Sequence, residues 1–266
     1  MRTLPGAAST AVRDLVTSPA RAGRVIGVHP TCVYVLTGAR PGSADDSRAE
    51  EVVAVETADA LRLPCAVRLG VDRSARPFAG VRPGDPALVG SGRVEAGSLS
   101  VSVARWWQPR TPRPCGEQVH TGRARADALA RLLEPHPCPV PVGRSVGDLL
   151  GLGPGLTPAG DDVLAGLLVA LHSRDDVRAP LADEVGRLSP SRTTALSAVL
   201  LRHAAAGTAV TAVLDLADAL AGHGTDDGLV EALARLLAVG SSSGTALAHG
   251  LLRGARTVAR TVENAA

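Results

Sequence analysis

The fold class of this chain depends on the stretch Leu99-Ser100-Val101-Ser102-Val103-Ala104-Arg105-Trp106-Trp107-Gln108-Pro109, after which the hydrophobic pattern changes. Apolar and polar residues alternate at its start, which is typical of a β-strand with one buried face. Earlier in the chain, short β-branched runs separated by Gly and Pro predict strands at 24–28, 32–36, 51–55, 65–69 and 87–89. We therefore expect an antiparallel β barrel or sandwich in this half, with a loop at 41–48.

Helical spacing of apolar residues replaces this alternation from about Thr121 onward. Gly and Pro residues separate the periodic segments, which predict helices at 123–133, 146–150, 161–172, 194–206, 210–220, 229–239 and 245–262. The sequence thus predicts an α+β protein, in which a β-rich domain at 1–112 is followed by an α-helical domain at 113–266. We expect the second domain to be a helical bundle that carries a Gly-rich motif.

Charge and composition exclude several classes of function. The chain has 266 residues, 28 Lys+Arg against 26 Asp+Glu and a net charge of +2, so nothing predicts nucleic-acid binding. No apolar run is long enough for a membrane span, and the N-terminal residues lack a secretory signal. The scattered cysteines Cys32, Cys65, Cys115 and Cys138 fit a reducing compartment. We therefore expect a cytoplasmic protein that binds neither nucleic acid nor a membrane.

The densest local motif is Gly151-Leu152-Gly153-Pro154-Gly155-Leu156-Thr157-Pro158-Ala159-Gly160-Asp161-Asp162. Its alternate glycines would let a ligand approach the main chain closely. Thr157 and Pro158 predict the N-cap and first position of a helix, whose free N–H groups favour a phosphoryl or carboxylate group. Asp161 and Asp162 would repel a bare anion unless a metal or a hydrogen-bonding group of the substrate lies between the two carboxylates and the anion. The alternative is that the motif serves only to start a helix.

A second segment repeats part of this motif. Gly244-Thr245-Ala246-Leu247-Ala248-His249-Gly250-Leu251-Leu252 aligns at a constant offset with Gly160-Asp161-Asp162-Val163-Leu164-Ala165-Gly166-Leu167-Leu168. Both glycines and both terminal leucines coincide, and Ser241-Ser242-Ser243 precedes the second copy. We infer two similar helix starts that face one another across a shared site, unless the similarity is chance in an Ala/Gly/Leu-rich sequence.

A third segment, Ser189-Pro190-Ser191-Arg192-Thr193-Thr194-Ala195-Leu196-Ser197, is rich in hydroxyl groups. Ser191 or Thr193 is predicted to be an N-cap, and Thr194 and Ser197 would share one helix face. The guanidinium of Arg192 could supply a forked donor to an oxyanion. Plain helix capping is the competing interpretation.

The motif at 151–162, followed by Leu164-Ala165-Gly166, resembles the signature of a bacterial family typified by AllH, a subunit of oxamate carbamoyltransferase. Further positions are similar to the family: Thr193-Thr194 with Ser197, Ser242-Ser243-Gly244, and Trp107 before Pro109. The resemblance implies carbamoyl transfer between oxamate or a related amide and phosphate, in allantoin and purine breakdown. It also implies partner subunits, one of them similar to an acyl-CoA synthetase. Members often have an acid where this chain has Ala246.

Three hypotheses about function remain open. The first is a carbamoyltransferase subunit in which Asp161 and Asp162 are catalytic or bind substrate or Mg²⁺. Its candidate substrate-binding residues are Gly153, Gly155, Thr157, Gly160, Arg192, Thr193, Thr194, Ser197, Ser242, Ser243 and Gly244. The second is a free-standing Mg²⁺-dependent enzyme acting on a phosphorylated or ribosylated small molecule. The third is a non-catalytic scaffold subunit whose glycine loops serve packing or docking.

Overall fold

The computed structural model describes residues 3–38, 50–113, 119–141 and 143–263. The predicted loop at 41–48 and Cys115 lie outside these ranges. The chain divides into two compact units, Met1–Pro109 and Arg110–Ala266, and each is described by itself. The assignment of 1–112 and 113–266 as separate domains stays a prediction. No helix within the described ranges is long and apolar enough to cross a membrane.

The first unit is a closed β barrel, which confirms the barrel among the two predicted architectures. Within the described residues its strands are β1 Thr3–Ser9, β2 Arg21–His29, β3 Cys32–Thr37, β4 Glu51–Glu56, β5 Ala66–Leu69, β6 Pro86–Gly90, β7 Arg93–Ala96 and β8 Leu99–Trp107. Their order around the barrel is β1-β5-β4-β3-β2-β6-β7-β8. A short helix, α1 Arg13–Thr17, follows β1.

The sequence predicted antiparallel strands throughout, but two of the strand pairs in the barrel are parallel. β1 runs parallel to β8 and β4 runs parallel to β5, while the other neighbouring strands are antiparallel. The first of these pairings joins the first described strand to the last, and a strand pair so distant in sequence is free to run in either direction. The second follows an irregular crossover from β4 to β5 instead of a tight hairpin.

Two strands, β1 and β7, were not predicted. β1 contains Pro5 and Gly6, residues that weaken a strand pattern in a sequence. Gly6 is needed where the barrel closes, because a Cβ there would lie 2.8 Å from Cγ1 of both Val67 and Val101. The pairing of β1 with β8 also shifts register between Gly6 and Ala7. Gly6 therefore weakens the strand pattern of β1 in the sequence and also lets β1 fit between its neighbouring strands.

The second unit consists of helices. Those described are α2 Val119–Leu132, α3 Val146–Leu149, α4 Ala159–Ala170, α5 Asp175–Arg192, α6 Ala195–Ala205, α7 Thr211–Leu220, α8 Asp226–Leu237 and α9 Ser243–Glu263. Each predicted helix has a counterpart within a few residues. α5 was not predicted, because Pro180 and Pro190 lie inside it and only Val185 and Ser189 of its residues are buried.

α4 lies at the centre of the helical core and crosses α9 at two glycines. A Cβ on Gly166 would lie 2.2 Å from the Leu247 carbonyl oxygen, and a Cβ on Gly250 would lie 2.2 Å from the Val163 carbonyl oxygen. The two contacts are equivalent under the sequence repeat, since Gly166 aligns with Gly250 and Val163 with Leu247. Glycine at both positions lets the two backbones touch. The structure therefore confirms that the two repeated segments pack against each other, while the shared site between them stays a prediction.

Candidate functional site

The Gly-rich loop leads directly into α4, but the helix begins one residue later than predicted. Pro158, not Thr157, occupies the N-cap position, with extended backbone angles and no side-chain cap. Its carbonyl oxygen accepts hydrogen bonds from the N–H groups of Asp161 at 3.0 Å and Asp162 at 3.2 Å. The prediction of Thr157 as N-cap is wrong because its hydroxyl is turned to α9, where it lies 3.4 Å from the Ser243 hydroxyl.

The loop offers backbone donors that the protein does not use. Gly151, Gly153 and Gly155 have positive φ angles of 75°, 120° and 94°, a conformation that favours glycine. Within the described part of the chain, the N–H groups of Gly153, Gly155, Leu156 and Thr157 have no acceptor. Main-chain N–H groups in such a loop are well suited to bind an anion.

Asp161 is held by three donors, which we call the Asp161 cluster: Gly151, Thr193 and Ser197. Its Oδ1 accepts from the Gly151 N–H at 2.9 Å. Its Oδ2 accepts from the Ser197 hydroxyl at 2.7 Å and from the Thr193 hydroxyl. Only 1% of the residue is exposed. A buried carboxylate satisfied in this way anchors the loop to the start of α6 and has little capacity left for a ligand.

Asp162 lies in a different environment from its neighbour. It is 8% exposed, and its Oδ2 is buried with no hydrogen-bond partner among the described residues. Burial raises the pKa of its carboxyl to about 7, the Ser243 hydroxyl lowers it, and the charge of Asp161 raises it. We call Thr157, Asp162 and Ser243 the helix-start cluster. It unites α4, α9 and the Gly-rich loop at one point.

The start of α9 supplies the other side of this cluster. Gly244 is packed so tightly that a Cβ would lie 2.0 Å from the Leu236 carbonyl oxygen, and its N–H donates to Val239 at 2.9 Å. Ser242 is exposed, and its carbonyl oxygen accepts from the Ala246 N–H at 3.0 Å. The N–H groups of Ser243 and Thr245 have no acceptor within the described ranges. Gly244 therefore sets the helix path, while Ser243 faces the cluster.

The third segment contributes to the loop rather than to the helix-start cluster. Thr194, not Ser191 or Thr193, is the N-cap of α6, accepting from the Ser197 N–H at 3.1 Å. Its hydroxyl also donates to the Leu156 carbonyl oxygen at 2.5 Å. The predicted caps are wrong because α5 continues through Ser191, and the Thr193 hydroxyl is committed to Asp161. The Arg192 guanidinium is exposed and donates to the Gly147 carbonyl at 3.3 Å.

The predicted residues thus fall into two groups with different surroundings. Sequence reasoning treated Asp161 and Asp162 as equivalent, whereas Asp161 faces α6 and Asp162 faces α9. It also missed the role of Gly151 and of the Leu156 carbonyl, because a backbone contact leaves no residue-type signal. Gly160 serves packing, since its N–H donates to Leu152 at 2.9 Å and its missing Cβ makes room for the Leu149 carbonyl.

The described residues do not fit a protein-held Mg²⁺ site. Both oxygens of Asp161 are occupied by protein donors, which leaves Asp162 as the only free carboxylate of the predicted pair. Among the described residues there is no group of three or more His, Cys, Asp and Glu side chains that could hold a metal ion. Mg²⁺ requires an octahedral set of oxygen ligands.

The barrel also buries a carboxyl group, but this group is fully engaged. Glu56 is 0% exposed, and its Oε1 accepts from the Leu63 N–H at 2.6 Å. Its Oε2 lies 3.3 Å from Nη1 of Arg68. Burial raises the pKa of Glu56 to about 7, against the lowering effects of the Leu63 N–H and the Arg68 charge. With both oxygens satisfied, Glu56 stabilises the barrel and is a weaker site candidate than Asp162.

Comparison with known proteins matches part of the helical unit to a protein family. Residues 149–255 match the family described as oxamate carbamoyltransferase subunit AllH. The matched segment includes the Gly-rich loop, the Asp161 cluster and the helix-start cluster, and the match confirms the resemblance drawn from the motif. No curated protein matches the chain. No solved structure matches it either.

Proposed function

From the match of residues 149–255 to the AllH family, we propose that this chain is a subunit of an oxamate carbamoyltransferase-like complex. In such a complex, a carbamoyl group is transferred between oxamate or a related amide and phosphate, in the nitrogen catabolism of purines and allantoin. The proposal places the small anionic substrate at the helix-start cluster. The other subunits, among them one similar to an acyl-CoA synthetase, would complete the enzyme.

The observation that carries this proposal is the buried, unpartnered Oδ2 of Asp162 at the start of a helix that follows a loop with unsatisfied backbone donors, all judged among the described residues. The free N–H groups of Gly153, Gly155 and Thr157 and the two helix starts favour the phosphoryl or carboxylate oxygens of a substrate. In carbamoyl transfer, negative charge develops on the carbonyl oxygen, and oriented N–H groups stabilise such charge. The substrate would lie against the loop, with Thr157 and Ser243 beside it.

Asp162 is suited to the proton transfer that the reaction requires. An amide nitrogen that accepts a carbamoyl group loses a proton, and one that gives up the group regains it. A carboxyl group whose pKa is raised to about 7 by burial can accept and return a proton near neutral pH. Asp161 takes no direct part in this proposal, because its oxygens hold Gly151, Thr193 and Ser197. It positions the loop.

The alternative of a free-standing Mg²⁺-dependent enzyme receives no support from the described residues. That enzyme would need both aspartates as ligands, and Asp161 is already satisfied by protein donors. The scaffold alternative requires that the free donors and the Asp162 carboxylate bind nothing. Ligand binding therefore distinguishes a scaffold from a substrate-binding subunit.

Thermal unfolding of the full chain with carbamoyl phosphate, oxamate or phosphate tests the proposal. A ligand at 100 times its Kd adds about 2.7 kcal/mol of stability, which raises the Tm of a protein of this size by about 5–10 °C. We expect this rise with carbamoyl phosphate and its loss in Asp162→Ala. Asp227→Ala is the matched control, because Asp227 is an exposed acid in the first turn of α8. Absence of a rise with every ligand would favour the scaffold.

A further inference from the structure

Asp162 has an unsatisfied acceptor in a position where the protein supplies no donor. Its Oδ2 is buried and unpartnered among the described residues, and the residue as a whole is more than nine-tenths buried. Folded proteins leave few buried polar atoms without a partner, and those that remain are often completed by a bound molecule. When the carboxyl is ionised, this oxygen is therefore available to accept a hydrogen bond from an N–H or O–H donor of a bound molecule.

The backbone of the Gly-rich loop and of the start of α9 has the opposite requirement. The N–H groups of Gly153, Gly155 and Thr157 on the loop, and of Ser243 on α9, have no acceptor within the described ranges. These donors belong to the loop before α4 and the start of α9, whose dipoles favour negative charge. A ligand that satisfies both requirements has an N–H donor next to anionic oxygens. A primary amide joined to a carboxylate or phosphate has this arrangement.

We propose that Asp162 is a specificity-determining residue that accepts a hydrogen bond from the amide N–H of the substrate, while the backbone N–H groups bind its anionic oxygens. This inference rests on the proposed function and adds the group by which the substrate is selected. Oxamate and carbamoyl phosphate share the H₂N–C(=O)– group, so one acceptor serves both. The site would therefore select its substrate by the hydrogen bond that the amide N–H donates, as well as by the negative charge of the substrate.

Two analogues of oxamate isolate this contribution. Pyruvate has the same charge, but a methyl group replaces the amide nitrogen and no donor remains. Oxalate replaces the amide with a second carboxylate, which Asp162 repels. A site that hydrogen-bonds a substrate group rejects an analogue without that group, because a buried polar atom is then left unpaired.

Isothermal titration calorimetry of the full chain at pH 8.5 measures the discrimination. Asp162 is ionised at this pH, since burial raises its pKa only to about 7. We expect the wild-type chain to bind oxamate about 10–100-fold more tightly than pyruvate. Oxalate is expected to bind more weakly still. This comparison uses only the wild-type chain and does not depend on the folding of a variant.

Two substitutions then assign the effect to Asp162. Asp162→Leu removes the acceptor and should bring the oxamate-to-pyruvate affinity ratio close to one. Asp162→Asn removes the charge and should strengthen oxalate binding relative to oxamate. Asp227→Asn on α8 should leave both ratios unchanged. Circular dichroism establishes that each variant is folded before its ratios are compared.

The outcomes separate this inference from the function on which it rests. Equal binding of oxamate and pyruvate by the wild-type chain, or an unchanged ratio in folded Asp162→Leu, overturns the role of Asp162. Binding of carbamoyl phosphate or oxamate by the backbone N–H groups would still support a substrate-binding subunit in that case. Failure of all three ligands and of carbamoyl phosphate to bind would overturn both.

Discussion

The starts of α4 and α9 have the same packing and different chemistry. In each, the first aligned glycine, Gly160 or Gly244, lies against the carbonyl oxygen of the preceding element at a distance that admits no Cβ. The second aligned glycines form the crossing of the two helices. At the positions of Asp161 and Asp162, however, α9 has Thr245 and Ala246. The glycines therefore determine how the helices pack, and the acids determine the chemistry of the site, so the two can be altered separately.

The largest expected effect comes from the crossing glycines, which both helix starts share. Gly166→Ala and Gly250→Ala each drive a Cβ to 2.2 Å from a backbone carbonyl oxygen that cannot move aside. We expect each to lower the free energy of unfolding of the helical unit by more than about 3 kcal/mol, and by similar amounts. Urea unfolding followed by circular dichroism measures the loss.

Gly186→Ala is the control for these substitutions. Gly186 lies in α5, and no atom of the described residues lies within 4 Å of the position that a Cβ would occupy, so alanine should stabilise the helix by about 0.5–1 kcal/mol. A mild loss in either crossing variant, or a large difference between them, would show that the contacts are not equivalent.

The next effect distinguishes the two helix starts. Asp161→Ala leaves the N–H of Gly151 and the hydroxyls of Thr193 and Ser197 without their acceptor. We expect a loss of about 3–5 kcal/mol in urea unfolding. The aligned substitution Thr245→Ala should cost less than about 1 kcal/mol. Equal losses would mean that the Asp161 cluster does not anchor the loop.

Asp162 gives the site a pH dependence that α9 lacks. Its folded-state pKa is about 7, above the value of about 4 in an unfolded chain. Its contribution to stability is therefore fully present below about pH 4 and is lost as the pH rises to about 7. In Asp162→Asn this loss should disappear, and above pH 7 the variant should be more stable than wild type by up to about 4 kcal/mol.

The measurement is the difference in unfolding free energy between wild type and Asp162→Asn across pH 4–8. Taking the difference removes the contribution of Glu56 in the barrel, whose pKa is also raised to about 7. A flat difference for Asp162→Asn would contradict the raised pKa.

The smallest effect is expected from the hydroxyl groups before α9. Ser243→Ala removes a hydroxyl that lowers the pKa of Asp162, so the pH dependence assigned to Asp162 should move to higher pH. Ser242→Ala should leave it in place, since Ser242 is exposed. Carboxyl ¹³C NMR titration of Asp162 in the two variants measures the difference. A shift of equal size in both would exclude a specific role for Ser243.

The sequence predicted the packing of the two helix starts but not the difference in their chemistry. The alignment of Gly166 with Gly250 correctly indicated that α4 and α9 pack together, because a close helix crossing needs glycine at both positions. The residues Asp161 and Asp162 were found but not told apart, since their partners Ser197 and Ser243 are distant in sequence and belong to different helices. The prediction of Thr157 as an N-cap is wrong for the same reason. Its hydroxyl contacts Ser243, which is distant in sequence, and this contact outweighs the preference of threonine for the N-cap position.

The missed elements have local patterns that tertiary packing overrides. α5 contains two prolines and little apolar surface, and β1 contains Pro5 and Gly6. Neither has the periodicity from which the other elements were predicted. β1 has glycine at position 6 because Val67 and Val101 leave no room for a side chain there, and this constraint is seen only in the closed barrel.

The pairing of β1 with β8 has a consequence for the synthesis of the protein. The first strand remains without one of its neighbours until Trp107 has left the ribosome, because β1 runs between β5 and β8. At a synthesis rate of about 5–20 residues per second, roughly 5–20 s pass between the synthesis of β1 and that of β8, the strand that closes the barrel. Contacts so distant in sequence also fold slowly. The nascent chain therefore exposes an unpaired strand edge for seconds, and a chaperone that covers such edges would find its binding site there.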